Sequence, residues 1–254
     1  MLHYRRFSED VLHPVPASEA YVRRDGGKGW PEQCPPVRAA NAYGFDVLAS
    51  VDLELVKDDE GRWVVERGGA LVADWTWSPP DVDDDEAAED GPPQEQEAAW
   101  GWDENQTLPH VITPEVAPKL RRQMKVSTFL YLATDPGEVL LFTDIPHLPR
   151  PFRVLPALVE SDWYPASYAW HCVLEMDENA ERVVISRGDP LCRMIPVRRD
   201  TFFAKEMDDA QFGAFFDRGQ AWLAKHGKGE RGPMMDITGA YGRQQAKSQF
   251  RVVT

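Results

Sequence analysis

Short runs in which apolar and polar residues alternate recur along the middle of this chain, and turn sequences separate them. The alternation has a period of two residues, which is that of a strand with one buried face. The predicted strands are Phe45–Val56, Trp63–Arg67, Ala70–Trp77, Val126–Ala133, Glu138–Phe142, Phe152–Val159, Ser167–Met176, Arg182–Ser186 and Leu191–Val197. Strands this short and closely spaced predict a mainly β fold, a barrel or a sandwich of antiparallel strands.

One amphipathic helix is predicted after the strands. Asp208 and Asp209 precede it as capping residues, its apolar positions repeat at helical spacing, and Gly227 follows its end. The apolar positions are Phe212, Phe215, Phe216, Trp222 and Leu223. The chain is thus predicted to comprise an irregular arm at residues 1–40, a β-rich core at 41–203, the helix at 204–227 and a C-terminal arm at 228–254.

The net charge of −14 is unevenly distributed and excludes several function classes. Nine acids and no base lie between Asp81 and Glu97, which leaves a charge of −5 on the rest of the chain. We expect a flexible acidic insertion near residues 78–105, because like charges repel and little there is apolar. The mildly acidic remainder offers no basic surface for duplex nucleic acid or for an anionic membrane.

Three cysteines without CxxC spacing predict a cytoplasmic protein without a disulfide framework.

Three segments resemble motifs of the dUTPase and dCTP-deaminase superfamily. Residues 42–50 (AYGFDVLAS) resemble the first motif, 158–163 (LVESDW) the third, and 187–195 (RGDPLCRMI) the fourth. The resemblance implies a β-clip fold, a homotrimer and a nucleotide ligand. Three departures argue against dUTPase activity: the serine-rich second motif is replaced by FTDIPHL at 142–148, the third-motif acid is Glu160 instead of aspartate, and a glycine-rich arm is only hinted at in residues 238–243.

A second resemblance covers more of the chain and brings no activity with it. Residues 20–200 are similar to a bacterial domain family of unknown function, through the sequences around CPPVRAANAYGF, ESDW, the Trp170-His171 strand and GDPLC.

Glu160 and Asp162 are the predicted catalytic pair. If their segment is extended, residues i and i+2 point to one face, within about 7 Å of each other. Two carboxylates at that distance divide acid and base roles or hold a divalent metal. The alternative is that Asp162 caps a turn and that Glu160 is solvated. We also expect the Glu160–Trp163 corner to lie beside the hairpin that leads into Gly188-Asp189-Pro190.

Four further residues form the predicted ligand-binding set. By the superfamily resemblance, Asp46 orients a sugar hydroxyl; the alternative is a turn residue that satisfies backbone N–H groups. Trp163 lies next to the acidic pair, and Arg150 and Arg153 are cations of the same region of the sequence.

A third hypothesis involves iron or another metal. His147 and His171, together with Glu160, would make the two-histidine, one-carboxylate ligand set of non-haem iron enzymes. A hydrogen-bonded structural histidine in a strand is the alternative for His171.

These features leave three functions open. The chain is a small-molecule-binding or assembly domain without chemistry, a nucleotide or phosphate-ester hydrolase in which Glu160 activates water with the help of a divalent metal, or a non-haem metal enzyme.

Overall fold

A computed structural model describes residues 1–18, 34–80, 95–102, 120–164, 166–200, 202–227 and 233–248. Fifteen strands and three helices lie within these ranges. The strands are β1 (Leu2–Arg6), β2 (Val15–Pro16), β3 (Phe45–Leu48), β4 (Leu53–Lys57), β5 (Trp63–Arg67), β6 (Ala70–Val72), β7 (Asp74–Trp77), β8 (Gln96–Trp100), β9 (Gln123–Thr134), β10 (Glu138–Thr143), β11 (Phe152–Val154), β12 (Ala157–Val159), β13 (Trp170–Met176), β14 (Arg182–Ile185) and β15 (Pro190–Arg198). The helices are α1 (Pro35–Asn41), α2 (Asp209–His226) and α3 (Pro233–Ser248).

The fold is mainly antiparallel β, as the alternating runs predicted. One sheet has the strand order β11-β13-β9-β8-β7, with β1 also paired to β9; a second has the order β12-β10-β15-β3-β2; and a third has the order β14-β4-β5-β6. All of these strands belong to one compact unit, residues 1–17 and 44–199, and the three helices belong to a second, residues 18–43 and 200–254.

The core of the β unit follows from the period-two pattern. In β13, Cys172, Leu174 and Met176 are buried while the residues between them are partly exposed. The central strand β9 is buried almost throughout and carries an irregularity at Phe129, whose φ of 55° is rare for a non-glycine residue. The Phe129 N–H bonds the Ser127 hydroxyl within the strand instead of a neighbouring carbonyl. Side chains from all three sheets meet in one hydrophobic cluster.

The first residues of the chain differ from the predicted irregular arm. β1 pairs with β9 from Leu2 opposite Thr134 to Arg6 opposite Leu130. The N-terminal ammonium also binds the carboxylates of Asp135 and Glu138. The short LHYRR run has no clear alternation, so only its pairing with the long strand β9 makes it a strand.

The predicted acidic insertion is partly structured. β8 lies within residues 78–105 and pairs with both β7 and β9. Residues 81–94, which hold most of the acids, lie outside the described residues.

The C-terminal part contains two helices where one was predicted. α2 matches the prediction: Asp208 caps it through a reciprocal capping box with Gln211, and the helix ends at Gly227. α3 occupies part of the predicted arm. Its Gly242 lies against Pro35 of α1, where an added Cβ would come within 3.4 Å of the proline ring. That distance is an ordinary van der Waals contact, so the packing of α3 on α1 does not require a glycine at this position.

Within the described residues, no helix combines the length and the apolar character that crossing a bilayer requires.

Candidate ligand-binding site

The turn that follows β12 carries the predicted catalytic pair. β12 ends at Val159, and the Tyr164 N–H bonds the Glu160 carbonyl at 3.0 Å, so the chain turns here instead of continuing as the extended segment that we expected. Asp162 acts in this turn region as an acceptor for the Gly137 N–H at 3.1 Å. Backbone geometry therefore places both carboxylates at one end of the sheet formed by β12, β10 and β15.

Arg199 joins the two carboxylates. Its Nη2 donates to Glu160 Oε2 and, at 2.7 Å, to Asp162 Oδ1. The Trp163 indole N–H donates to Glu160 Oε2 at 2.9 Å, so this oxygen accepts two hydrogen bonds. Both oxygens of Asp162 are used as well, and its side chain is only 8% exposed. The pair is thus a guanidinium clamp and not two free carboxylates.

The electrostatics agree with this geometry. Hydrogen bonds from Arg199 and then Trp163 hold the pKa of Glu160 below its ordinary value of 4.5. Burial raises the pKa of Asp162, but Arg199 and the Gly137 N–H outweigh it, so that this pKa also lies below its ordinary value. The two carboxylates, Glu160 first, raise the pKa of Arg199. All three groups are ionised at neutral pH, and their net charge is −1.

Four aromatic side chains continue this surface. Trp163 is 64% exposed and meets Tyr164 edge-on, with ring centroids 6.1 Å apart. Tyr164, Tyr168 and Trp170 contact one another edge-on at 5.7–6.4 Å. Burial and the Tyr164 hydroxyl raise the pKa of Tyr168 to about 12, so the Tyr168 phenol stays neutral at neutral pH. The clamp and the aromatic side chains together form the Trp163 surface, which consists of Glu160, Asp162, Trp163, Tyr164, Tyr168, Trp170 and Arg199.

Sequence reasoning missed Arg199. The residue follows the end of β15, and its N–H donates to the carbonyl of Gly137 at 2.8 Å, the same glycine whose N–H binds Asp162. The signal in the sequence is a cation immediately after a strand that pairs with β10. It becomes informative only once the register of β15, with Arg198 opposite Glu138, is known.

Asp46 does not belong to this surface. Its carboxylate and the Arg193 guanidinium are both 0% exposed and form a two-pronged pair, with Nε–Oδ1 at 2.7 Å and Nη2–Oδ2 at 3.2 Å. The two residues lie opposite each other in β3 and β15. Asp46 is thus buried and paired in this structure, and its binding of a sugar hydroxyl stays a prediction.

Arg150 and Arg153 also lie elsewhere. Arg150 donates to the Pro190 and Leu191 carbonyls at 2.6 and 2.9 Å and to the Asp144 carboxylate, and it thereby attaches its loop to the start of β15. Arg153 pairs across strands with Glu175 at 2.9 Å.

The three proposed metal ligands do not meet. His147 lies on an exposed loop after β10, whereas His171 lies in β13, with its ring 5.0 Å from that of Trp100. Burial and then the charge of Lys125 lower the pKa of His171 to about 4. Glu160 is engaged by Arg199. Among the described residues, no group of three or more His, Cys, Asp or Glu side chains is arranged to hold a metal ion.

The third and fourth motifs were expected to lie side by side, but within one chain they lie at opposite ends of β15. Gly188 and Asp189 precede the start of β15, where Asp189 accepts the Ser186 N–H in a turn. The Glu160–Trp163 corner lies at the other end of β15, beside Arg199. Nine strand residues span roughly 25–30 Å. The antiparallel register with β10, which sequence spacing does not reveal, separates the two motifs.

Comparison with known proteins gives likenesses of structure alone. No family model matches the chain, and no curated protein matches it. The dUTPase of Staphylococcus aureus phage phi11, described with a structural Mg(II) ion, is similar over 82% of this chain and 97% of its own, with 10% identity and a TM-score of 0.38. A Staphylococcus phage 80alpha dUTPase bound to dUpNHpp is similar over 82% and 89%, with 8% identity and a TM-score of 0.37. These values do not assign the fold or the activity of those enzymes to this chain.

Proposed function

We propose that this chain is a small-molecule-binding domain, and that it binds a planar aromatic ligand at the Trp163 surface without hydrolysing it. The observation that carries this proposal is the position of Arg199. It occupies both carboxylates of the expected catalytic pair, next to an exposed and oriented indole.

The aromatic residues supply the affinity. An exposed indole or phenol ring stacks on any flat π-system, and stacking of a nucleobase on an aromatic side chain is worth about 1–3 kcal/mol. The hydrogen bond from Trp163 to Glu160 fixes the indole before a ligand arrives. Little side-chain entropy is then lost on binding, which favours affinity.

The carboxylates are poor candidates for catalysis. A general base works best when its pKa lies near the operating pH, whereas the pKa of Glu160 is lowered by Arg199. Both oxygens of Asp162 already accept a hydrogen bond, and its side chain is only 8% exposed, so a metal would have to compete with Arg199 and the Gly137 N–H. Glu160 and Asp162 therefore do not fit the magnesium ion that a hydrolase mechanism would need.

The charge of the surface predicts which ligands bind. Glu160, Asp162 and Arg199 together carry −1, and a negative surface repels a triphosphate. A nucleobase or nucleoside should thus bind more tightly than the corresponding triphosphate. A nucleotide hydrolase is expected to show the opposite order, because its binding energy comes largely from the phosphates.

The test is a calorimetric or NMR titration with 2′-deoxyuridine, thymidine, deoxyadenosine and their triphosphates. We expect nucleosides to bind and Trp163→Ala to weaken binding at least about tenfold, the equivalent of one lost stacking contact. Trp222→Ala is the matched control, since it removes a tryptophan from α2. No binding to any nucleoside, or equal losses in the two variants, would refute the proposal.

The same samples test the hydrolase alternative. Triphosphates incubated with Mg²⁺ should release no phosphate or pyrophosphate above the buffer rate. Turnover that Glu160→Gln abolishes would replace the binding function by the hydrolase.

Homo-oligomerisation, as a trimer, is a further part of the proposal. β12 is an edge strand of its sheet, and its Leu158 is 60% exposed. Unpaired strand edges readily pair with another chain. Light scattering after size-exclusion chromatography should give about three times the chain mass of 28.8 kDa, and Leu158→Lys should lower it. A monomeric mass for the unmodified protein would contradict this part.

A further inference from the structure

A second potential site lies at the edge of another sheet. A cavity of about 380 Å³ opens where β11, the end of β13 and the residue before β9 come together. Its charged lining residues are three arginines and three acids, Arg122, Arg150, Arg153, Glu175, Asp177 and Glu178, and Phe152 lies among them. The volume falls within the range of small-molecule sites. The cavity shares no residue with the Trp163 surface.

Arg150, which lines this cavity, has one unsatisfied donor. Its side chain is 9% exposed, and three hydrogen bonds engage its Nη atoms with the Pro190 carbonyl, the Leu191 carbonyl and Asp144. Its Nε is buried and has no hydrogen-bond partner among the described residues. A buried donor on a charged group is costly to leave unpaired, so an acceptor is expected there.

Two more guanidinium groups face the same space. Arg122 and Arg153, on either side of β13, both bind Oε1 of Glu175, at 3.4 and 2.9 Å. One carboxylate oxygen therefore lies between two cations. Arg153 uses one of its five N–H donors for this contact and is 66% exposed, so it retains donors that can turn toward a ligand.

We propose that this cavity binds a small molecule through an oxyanion, a phosphate or a carboxylate group. The oxyanion accepts the Arg150 Nε–H and hydrogen bonds from Arg153, and Phe152 and Met176 provide an apolar wall for the rest of the molecule. Guanidinium groups suit both anions because their N–H donors form a planar fork. Glu175 opposes binding because it competes for Arg122 and Arg153, and the other two acids of the lining, Asp177 and Glu178, oppose an anion as well.

The opposing roles of Arg153 and Glu175 make the proposal testable. Inorganic phosphate, methyl phosphate and benzoate are titrated by calorimetry at constant ionic strength. Saturable binding is expected, Arg153→Gln should weaken it about tenfold, as for one lost charge-assisted hydrogen bond, and Glu175→Gln should tighten it severalfold. The preference for methyl phosphate or for benzoate then identifies the anion.

Arg62→Gln is the matched control, since Arg62 is an exposed arginine paired with Asp58 at the β4–β5 turn. Circular dichroism verifies that each variant is folded. Absence of saturable binding by all three anions, an equal effect of Arg62→Gln, or weaker binding by Glu175→Gln would overturn the proposal. Because the probes and variants differ from those of the Trp163 surface, either proposal can fail alone.

Discussion

Two carboxylate–guanidinium groups of the β unit use the same chemistry in opposite surroundings. Asp46 and Arg193 are 0% exposed and face each other in paired strands. Arg199, six residues further along, holds Glu160 and Asp162 at the rim of the same sheet and is 42% exposed. The superfamily resemblance singled out Asp46 and Glu160. Each of them pairs with an arginine in β15 or directly after it, Asp46 with Arg193 and Glu160 with Arg199.

The difference shows how burial decides what an ion pair does. Removing charges from water is costly, so a buried pair must be fully hydrogen-bonded and cannot release a partner for a ligand. A partly exposed pair contributes less to stability, because water already screens its charges. Of the two groups, only the clamp at Arg199 lies at the surface, where Glu160 also accepts the Trp163 indole N–H.

The largest expected effect is that of breaking the buried pair. Asp46→Asn leaves the Arg193 charge without its partner inside the protein, and we expect a loss of about 3–5 kcal/mol of unfolding free energy. Urea unfolding followed by circular dichroism measures it. The double variant Asp46→Leu with Arg193→Met should recover most of the loss. If Asp46→Asn cost no more than Arg199→Gln, the contrast between the two groups would be invalid.

His171 lies between these two extremes of burial. It is half-buried, and no carboxylate contributes to its pKa shift. Its pKa is about 4 in the folded protein and about 6.5 in the unfolded chain. The unfolded state therefore takes up a proton first, and stability is lost as the pH falls from about 6.5 to about 4, by on the order of 1–3 kcal/mol. His171→Gln should flatten the unfolding free energy in this window. An NMR titration midpoint of His171 near its unfolded value would contradict the prediction.

Arg199→Gln should have a smaller effect, which is present at neutral pH and disappears in acid. The folded-state pKa values of Glu160 and Asp162 lie below their ordinary values of 4.5 and 3.8. Their contribution to stability is present above those values and is lost as the pH falls through the folded-state values. The variant should therefore lose less stability than the unmodified protein between about pH 5 and about pH 2. At neutral pH its loss should be small beside that of Asp46→Asn.

The smallest stability effect is expected for Trp163→Phe, which keeps an aromatic ring but removes the hydrogen bond to Glu160. Thermal unfolding should change little because Trp163 is largely exposed. Nucleoside affinity should fall less than in Trp163→Ala. A loss of binding equal to that in Trp163→Ala would mean that the hydrogen bond, and not stacking, determines affinity.

Local patterns predicted much of the secondary structure. Trp63–Arg67 was predicted with the observed bounds, and the runs at Glu138–Phe142 and Leu191–Val197 were one or two residues short. Phe45–Val56 and Phe152–Val159 each divide into two strands that pair in different sheets. Alternation reports that a segment is extended, but not where it changes partner. β1 was missed for the related reason that its strand character comes from its partner.

The sequence by itself determined the mainly β class, the capped helix α2 and the chemistry available in Glu160, Asp162 and Trp163, since side-chain periodicity and local hydrogen bonding depend on neighbours along the chain. Tertiary structure alone decided that Arg193 encloses Asp46, that Arg199 reaches Glu160, and that His147 and His171 lie apart. Strand register brings together residues that are up to 149 positions apart in the sequence, as Phe45 and Met194 are. Such pairings depend on how whole faces are buried, which no short stretch of sequence encodes.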